Sequence, residues 1–386
     1  MTPAARVSAA IEILDAVLDG ARAETALTRW GRANRYAGSK DRAAIRDHVF
    51  DALRQRDSAL GYAGGARSGR SLMRAILRSQ GVDLGTIFSD ARFAPVPLSS
   101  DELCFVAPET DWENCDIPES LWPHWCLSLG EQATAIAHVL QQRAPVFLRV
   151  NMLKATVDQA CASLSEAGYD VSPHPDVPTA LCVSGRTAGL QTTEAYVDGL
   201  IELQDAHSQA AVTLLDPKQS GPILDYCAGG GGKSLALAAW LGGAVHAHDV
   251  NPRRMVDLPA RVKRANAQIS TRTKDQFAPD YGVVFCDAPC SGSGSWRRDP
   301  EGKWALTQDQ LDTLILTQRD ILSVAAKLVA PDGCLVYATC SVLACENQDQ
   351  IDWFTAQNPR WRVETQKQWI PSAQGDGFFA SVLTQL

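Results

Sequence analysis

Two cysteines each follow an apolar segment and are the residues best suited to covalent chemistry. Cys290 comes three residues after segment 281–287, and Cys340 closes segment 334–340. A thiolate is a suitable nucleophile for an electron-poor pyrimidine carbon. A helix beginning near Glu346-Asn347 would place its N-terminus close by and lower a thiol pKa. The spacing therefore indicates nucleophilic chemistry at the ends of two strands.

The segment around Cys290 is the more specific of the two. Asp287-Ala288-Pro289-Cys290 is followed by a Gly/Ser-rich loop and by Arg297-Arg298, which can bind phosphates. A buried structural cysteine in a turn is the alternative. That alternative does not explain the adjoining loop and arginines.

A glycine run spans Asp225 to Ser234, at the end of another apolar segment. Glycines there let a ligand approach the backbone closely. A phosphate-binding P-loop fits poorly, because Cys227 stands where its first glycine belongs, and the dinucleotide pattern fails at Leu235. Two interpretations of the glycine run remain. It can hold a nucleoside cofactor through backbone groups, or it can be a tight turn without a ligand.

Asp249 stands 24 positions after Asp225, at the end of the next apolar segment. An acid about 20 residues beyond such a glycine loop binds ribose hydroxyls, because a carboxylate accepts two neighbouring O–H groups. This spacing supports an adenosine-containing ligand. Asp249 can instead cap the helix that begins at Pro252.

Alternating strands and helices must position these residues. From residue 221 their order is typical of a doubly wound, mostly parallel sheet of the α/β class, closed by an antiparallel C-terminal hairpin. The carboxyl ends of parallel strands meet at one edge, where ligands bind. The predicted strands are 222–227, 244–250, 281–287, 334–340, 361–364 and 377–382, and the helices are 232–241, 252–265, 311–329 and 345–354.

The remainder of the chain predicts three further segments. Residues 1–90 carry apolar residues at helical spacing and predict an all-helical domain. Residues 91–140 are rich in proline and acids and predict a linker with a helical connection. Residues 141–205 predict a small α+β unit, and residues 206–386 form the doubly wound domain.

Composition excludes several classes of protein. With 386 residues, 45% hydrophobic and 21% charged, the chain is globular rather than disordered or collagenous. No apolar run approaches the ~18 residues of a membrane span, and acids interrupt the first apolar helix, unlike a secretory signal. The 11 cysteines include no CxxC pair. These features predict a cytoplasmic chain with free thiols, no metal site and no membrane contact.

Charge is unevenly distributed although the net charge is −8. Residues 1–80 contain 14 lysines and arginines against 8 acids, and residues 251–304 contain 10 against 6. Residues 81–140 contain 1 basic residue against 10 acids. The two basic regions can still present a basic face to a nucleic acid, although ordinary solvated surface explains the charges equally well.

The motifs together resemble the RNA cytosine-5 methyltransferase family of the Sun, or ribosomal RNA small subunit methyltransferase B, type. The family patterns D-x-C-A-A-P-G-G-K, D-A-P-C-S-G-x-G and T-C-S with a following E-N are similar to Asp225–Lys233, Asp287–Gly294 and Thr339–Ser341 with Glu346-Asn347. Gly229-Gly230 replace the family's Ala-Pro, which implies a more flexible loop.

The resemblance covers about residues 140–386 and includes smaller matches. These are Arg149-Val150-Asn151 with Leu153-Lys154, Gln204-Asp205 and Asp376–Phe379. The helical N-terminus resembles the antitermination-factor-B-like RNA-binding domain of the bacterial ribosomal members. The family likeness therefore implies RNA-binding roles for residues 1–90 and 141–205.

The resemblance implies S-adenosylmethionine as cofactor and gives roles to individual residues. Cys340 is the expected nucleophile, adding to C6 of a cytosine, and Cys290 is expected to assist product release. Asp287 is expected to hydrogen-bond the base and to border the cofactor. The expected cofactor contacts are Asp249 to the ribose, Asp275 to the adenine, and Cys227, Ala228, Gly229, Gly230, Gly231, Gly232 and Lys233 around the methionine end.

The expected function is methylation of C5 of a cytosine in RNA, with 16S ribosomal RNA as substrate and a monomeric enzyme. The same chemistry on transfer RNA is one alternative, because the catalytic motifs do not separate the two substrates. A non-catalytic RNA-binding ribosome assembly factor is another. Retention of both Cys290 and Cys340 argues against the latter.

Overall fold

The chain folds into two compact units, each built from more than one chain segment. The computed structural model describes residues 1–64, 66–219, 221–278 and 280–386. The first unit comprises Met1–Pro123, Glu131–Arg143 and Trp296–Leu306, and the second comprises His124–Gly130, Ala144–Ser295 and Thr307–Leu386. The domain boundaries expected at residues 90, 140 and 205 remain a proposal.

The helices of the described residues are numbered in chain order. They are α1 Pro3–Leu18, α2 Ala23–Ala33, α3 Ser39–Arg54, α4 Arg56–Tyr62, α5 Gly69–Ser79, α6 Asp111–Asn114, α7 Trp122–Leu129, α8 Ala133–Leu140, α9 Val157–Glu166, α10 Glu194–Val197, α11 Ala206–Thr213, α12 Gly232–Leu241, α13 Leu258–Ala265, α14 Pro300–Ala305, α15 Gln308–Ala325 and α16 Gln348–Gln357.

The strands form two sheets, both in the second unit. They are β1 Val146–Val150, β2 Asp170–Pro173, β3 Ala180–Ser184, β4 Ile201–Leu203, β5 Ile223–Asp225, β6 Val245–Ala247, β7 Ile269–Thr271, β8 Tyr281–Asp287, β9 Val329–Thr339, β10 Trp361–Trp369 and β11 Phe378–Gln385. The small sheet has the order β2-β3-β1-β4, and the large sheet has the order β10-β11-β9-β8-β5-β6-β7.

The first unit is all-helical around one apolar core. Pro3 begins α1 and the Thr2 side chain caps it by accepting from Ala5 N, as expected for a proline in a first turn. The buried side chains of α1 include Val7, Ile13 and Leu14, which recur at helical spacing and face the core. The expectation of an all-helical N-terminal region is confirmed.

Residues Trp296–Leu306 belong to this helical unit although they follow the Cys290 loop in sequence. Lys303 Nζ donates to Arg54 O at 3.1 Å, and Trp304 Nε1 donates to Leu53 O at 2.7 Å. Arg54 Nε donates to Arg297 O at 2.7 Å. The end of α3 therefore holds this segment through buried backbone carbonyls.

The large sheet confirms the doubly wound prediction. Strands β9, β8, β5, β6 and β7 run parallel, and β11 pairs antiparallel with both β9 and β10. The chain order reverses between β5 and β8, which are neighbours in the sheet. Ligands of open α/β sheets bind at such a reversal, beyond the carboxyl ends of the strands.

Several predicted element bounds are wrong. The expected strand 222–227 is only β5, and the expected helix 252–265 is a 3-10 turn at Pro252–Met255 followed by α13. Pro259 lies in the first turn of α13, and because proline lacks an N–H and clashes with the preceding turn, a helix begins there rather than continuing through it. The short strands β2 and β7 and the helix α14 were not predicted.

Candidate active site

The predicted chemical residues meet at the carboxyl edge of the large sheet. Asp225 ends β5 and Asp287 ends β8, and the register pairs Asp225 with Phe285 and Asp287 with Ala338. Cys340 follows the last residue of β9. Adjacent parallel strands thus carry these groups to one edge, as their order in the sheet requires.

One cavity of about 700 Å³ opens at this edge, within the second unit. This volume lies in the range of about 300–1,000 Å³ found for small-molecule sites. Its lining includes ten of the predicted site residues, namely Cys227, Ala228, Gly229, Gly230, Gly232, Lys233, Asp249, Asp287, Cys290 and Cys340. Among the described residues, Gly231 and Asp275 are the two predicted positions outside the lining.

The two predicted cysteines are in contact. Cys290 Sγ lies 3.4 Å from Cys340 Sγ. A hydrogen bond from Cys290, together with the Lys233 ammonium, lowers the pKa of the Cys340 thiol against the effects of burial and of the Asp287 carboxylate. The same hydrogen bond, burial and the Glu346 carboxylate raise the pKa of Cys290 well above its ordinary value. Of the two thiols, Cys340 therefore has the lower pKa and ionises more readily.

Lys233 and Asp287 form an ion pair in the cavity. Lys233 Nζ donates to Asp287 Oδ2 at 2.6 Å and lies 4.9 Å from the centre of the Phe378 ring. Burial would lower the pKa of Lys233, but the Asp287 carboxylate outweighs it and raises this pKa. The ammonium therefore stays charged beside the cysteine pair.

The glycine run forms the turn between β5 and α12. Gly229 and Gly231 have φ of +54° and +81°, a backbone region that favours glycine. A Cβ on Gly231 would lie 2.2 Å from Leu258 Cδ1. The positive φ thus favours glycine at position 231, which lies against Leu258 of α13.

Asp249 lies against the same loop with its side chain 2% exposed. Its Oδ2 accepts from Gly229 N at 2.8 Å and from Arg254 at 3.2 Å, and its Oδ1 accepts from Asn251 N at 2.8 Å. A carboxylate offers about four acceptor positions. Among the described residues these donors leave one position at Oδ1, which suits a ribose hydroxyl.

Three residues that the chemical reasoning did not assign support the glycine loop. Arg149 donates to Gly232 O at 2.6 Å and to Gln204 Oε1 at 2.8 Å. Arg261 donates to Gly230 O at 2.5 Å. These bonds hold the backbone of the loop although the family's Ala-Pro is replaced by glycines. The only sequence signal was the likeness of the segments containing Arg149 and Gln204 to family motifs.

Asp225 is a further group that sequence reasoning left without a role. It is fully buried at the end of β5, and Ser234 Oγ donates to its Oδ2 at 2.6 Å. Burial raises the pKa of Asp225 to about 7. The bond joins the two ends of the glycine loop, so Asp225 shapes the loop rather than contacting the cavity.

Asp275 lies in a short 3-10 turn, Lys274–Gln276, and is exposed. Its neighbour Lys274 lines the cavity. A hydrogen bond with Thr273 lowers the pKa of Asp275, and this bond draws its carboxylate to its own turn. The predicted adenine contact of Asp275 therefore remains a proposal.

Helix α15 supplies one wall of the cavity that the sequence did not indicate. Thr317, Asp320, Ile321 and Val324 recur three or four residues apart and line it, as residues on one helix face do. They carry no motif, because only the packing of α15 beside the sheet brings them to the cavity.

Two kinds of feature are missing from the described residues. No helix in that part of the chain is long and apolar enough to cross a membrane. Within the same residues, no group of three or more His, Cys, Asp and Glu side chains is arranged to hold a metal ion.

Two family models match the chain. Residues 212–384 match the 16S rRNA methyltransferase RsmB/F family, and residues 117–188 match the ferredoxin-like domain of RsmF/B-like methyltransferases. The second match begins upstream of the small sheet and includes β1, β2 and β3.

Curated relatives share the same description. The chain is 32% identical to ribosomal RNA small subunit methyltransferase B of Klebsiella pneumoniae subsp. pneumoniae, over 68% of this chain and 66% of the relative. It is also 32% identical to the protein so named from Serratia proteamaculans, over 69% of this chain and 67% of the relative. The match thus spans about two thirds of the length of these relatives.

Solved structures share the fold. The crystal structure of PH0851 superposes with a TM-score of 0.77 at 23% identity, covering 100% of this chain and 99% of that one. NSun6 from Pyrococcus horikoshii, solved with SFG, gives a TM-score of 0.62 at 17% identity, covering 69% of this chain and 98% of that one. At these identities the likeness concerns the fold.

Fold, site and matches together define the class, which is the methyltransferases built on a Rossmann-like sheet. Within it, the chain belongs to the RsmB/F family of 16S rRNA methyltransferases, enzymes that use S-adenosylmethionine. The resemblance inferred from the sequence motifs is thereby confirmed.

Proposed function

We propose that this chain methylates C5 of a cytosine in 16S ribosomal RNA through a covalent bond between Cys340 and C6 of the base. The observation that carries the proposal is the pair of thiols 3.4 Å apart, one of them acidified, in the cavity that also contains the glycine loop and Asp249. A non-catalytic RNA-binding protein has no use for this arrangement.

The cavity has the groups that S-adenosylmethionine requires. The remaining acceptor position of Asp249 suits a ribose hydroxyl, and Gly229 and Gly230 leave the loop backbone open to the ligand. Lys233 offers a positive charge near the end of the loop for a carboxylate. When bound, S-adenosylmethionine supplies the methyl group.

The residues of the chain account for the rest of the reaction. The Cys340 thiolate adds to C6, and the electron pair displaced from the C5–C6 double bond makes C5 nucleophilic. Asp287, positioned by Lys233, hydrogen-bonds the N3 and amino side of the base and stabilises the adduct. After the methyl group is on C5, the C5 proton passes to water and the electrons of the C5–H bond re-form the C5–C6 double bond. The Cys340 thiolate then leaves C6, and Cys290 assists this release step.

The substrate must present an unstacked base, because both thiols lie inside the cavity. A single-stranded or loop segment of RNA meets this requirement. Substrate and site are tested together by incubating the protein with tritiated S-adenosylmethionine and, in separate reactions, 16S ribosomal RNA or transfer RNA, then locating the product by bisulfite sequencing. Label in transfer RNA alone would favour the transfer-RNA alternative, and no label in any RNA would favour the assembly factor.

Replacing Asp249 with alanine should weaken S-adenosylmethionine binding. Loss of a hydrogen bond to a charged group costs about 1.5–3 kcal/mol, which is a roughly 10- to 150-fold rise in Kd. Titration calorimetry measures it, with Asp320→Ala as the control, because Asp320 lines the same cavity from α15. Binding of ATP in place of S-adenosylmethionine by the unchanged protein would contradict the cofactor assignment.

Replacing the exposed residues Arg29, Arg32 and Arg35 with alanine should weaken RNA binding and flatten its salt dependence. The slope of log K against log salt is negative, and each lost phosphate contact reduces its magnitude by about 0.7–0.9. The matched control removes three exposed cations elsewhere in the chain, Lys218, Lys327 and Arg360. Equal slopes for both triple variants would show that the helical unit does not contact the RNA backbone.

A further inference from the structure

Glu346 is a buried acid beside the cysteine pair to which the proposed reaction gives no role. It ends the 3-10 turn Ala344–Glu346, between β9 and α16, and is fully buried. A buried carboxylate is costly unless hydrogen bonds satisfy it, so its partners indicate why it is retained.

Both cysteine loops donate to this carboxylate. Ser291, next to Cys290, donates its backbone N–H to Oε1 at 2.8 Å and its hydroxyl to Oε2 at 2.5 Å. Ser341, next to Cys340, donates its hydroxyl to Oε2 at 2.6 Å. One side chain therefore joins the residues that directly follow the two thiols, which are 50 positions apart in sequence.

A third element completes the arrangement. Gln318 of α15 donates to Glu346 Oε1 at 3.0 Å and to Pro289 O, before Cys290, also at 3.0 Å. The Cys290 loop is thus held on both sides of its thiol. Hydrogen bonds from three separate elements converge on the Glu346 carboxylate, and each of its oxygens accepts two of them. Buried side-chain networks of this kind restrict the movement of the segments they join.

The charges around the two thiols differ. The Lys233 ammonium acts on Cys340 together with Asp287, and Glu346 acts on Cys290. A negative charge beside Cys290 disfavours a thiolate there. Near Cys340 the Lys233 ammonium favours a thiolate and the Asp287 carboxylate opposes one, so the hydrogen bond from Cys290 is the main cause that lowers the pKa of Cys340. Tyr337 and Cys345, the other titratable groups near Glu346, have raised pKa values through burial and remain neutral.

We propose that Glu346 is the positioning residue of this site: it holds the two cysteine loops together and keeps the negative charge of the thiol pair on Cys340. The inference rests on the proposed function, because only that function requires two thiols with different protonation states. Through this role Glu346 determines, before any substrate binds, that Cys340 is the nucleophile and Cys290 is the group that assists release.

Two substitutions at Glu346 distinguish the effect of its negative charge from its effect on the position of the two cysteine loops. Glu346→Gln keeps an oxygen for Ser291 N–H and Gln318, and its amide nitrogen can donate to the two serine hydroxyls, so the loops stay in place without the charge. Glu346→Ala removes both. Asp349→Asn is the control, because it removes an exposed carboxylate three residues further along.

The rate of alkylation measures how readily each thiol ionises, and so tests the effect of the Glu346 charge. Each cysteine is alkylated with iodoacetamide between pH 5 and 10, and mass spectrometry of the peptides gives a separate rate for Cys290 and Cys340. The wild type and Asp349→Asn should alkylate Cys340 at lower pH than Cys290. In Glu346→Gln the ratio of the Cys340 rate to the Cys290 rate at pH 7 should fall about tenfold, because loss of the Glu346 charge lowers the pKa of Cys290 and a pKa change of about one is a tenfold change in thiolate. An unchanged ratio would overturn the assignment of charge.

The rate of disulfide formation between Cys290 and Cys340 tests whether the two cysteine loops stay in place. Diamide takes up the two thiol hydrogens as Cys290 and Cys340 join, and the rate depends on the thiols staying near 3.4 Å. Glu346→Gln should form the disulfide readily, and Glu346→Ala should form it at least about tenfold more slowly. Equal rates in both would overturn the positioning role. If the alanine variant does not fold, Ser291→Ala and Ser341→Ala, which each remove a single donor, serve instead.

These measurements use neither RNA nor S-adenosylmethionine. A chain that transfers no methyl group but shows the expected alkylation ratio would refute the proposed function and leave the role of Glu346 intact. Active methyl transfer with an unchanged ratio in Glu346→Gln would refute the role of Glu346 alone. The two proposals therefore fail separately.

Discussion

Replacing Cys340 with alanine should abolish methyl transfer and leave no covalent complex with RNA. The thiol that adds to C6 is then missing, and without that bond C5 does not become nucleophilic. The lowered pKa of Cys340, which arises from the Cys290 hydrogen bond and from Lys233, supports its choice as nucleophile. The measurement is tritium transfer to RNA, together with a denaturing gel of the protein after incubation with substrate.

Cys290→Ala should behave in the opposite way on the gel. Cys340 still attacks and the methyl group is still transferred, but release is impaired and the RNA remains attached. The observable is a band of reduced mobility that survives boiling in detergent and disappears on ribonuclease treatment. Cys104→Ala is the control, because Cys104 is an exposed free thiol in the helical unit.

The reversed assignment makes the reverse prediction. A cysteine after proline in a loop is a reasonable nucleophile, so Cys290 as nucleophile predicts a trapped complex in Cys340→Ala. Such a band in Cys340→Ala, with none in Cys290→Ala, would overturn the proposed roles. The raised pKa of Cys290, which the Cys340 contact and burial cause, argues against that outcome.

Replacing Asp287 with asparagine should reduce methyl transfer by about 10²–10³-fold, the usual cost of removing a preorganised group that stabilises developing charge. The asparagine keeps the size of the side chain but loses the charge that pairs with Lys233 at 2.6 Å and binds the protonated base. Single-turnover kinetics with saturating RNA and S-adenosylmethionine measure the chemical step directly.

Asp320→Asn is the matched control for this variant, since it changes another carboxylate that lines the cavity. RNA affinity should be similar in both variants, because Asp287 acts on one base. A rate for Asp287→Asn within about threefold of the control would contradict the role of Asp287 in the reaction and leave it as the partner of Lys233.

The sequence by itself determined the class of the large sheet and six of its seven strands, all except β7. The predicted strands 222–227, 281–287 and 334–340 correspond to β5, β8 and β9, although only the end of β8 at Asp287 was predicted to the residue. Strand hydrophobicity, glycine runs and prolines act locally, so they can be read without the fold. The family motifs are likewise contiguous and gave the roles now proposed for Cys290 and Cys340.

Only the tertiary structure decided how these groups act on one another. The approach of the two thiols to 3.4 Å, the Lys233–Asp287 pair and the convergence of both loops on Glu346 join residues far apart in sequence. Local sequence patterns do not predict such pairs, because the pairs depend on strand order and side-chain packing.

The same reason explains what sequence reasoning missed. The Arg149 and Arg261 bonds to the glycine loop link it to β1 and α13, and α15 forms a cavity wall without any motif. Residues Trp296–Leu306 follow the Cys290 loop yet pack in the helical unit, where Lys303 and Trp304 find backbone carbonyls at the end of α3. A buried ammonium or indole N–H must have an acceptor, and only the folded chain determines which one it meets.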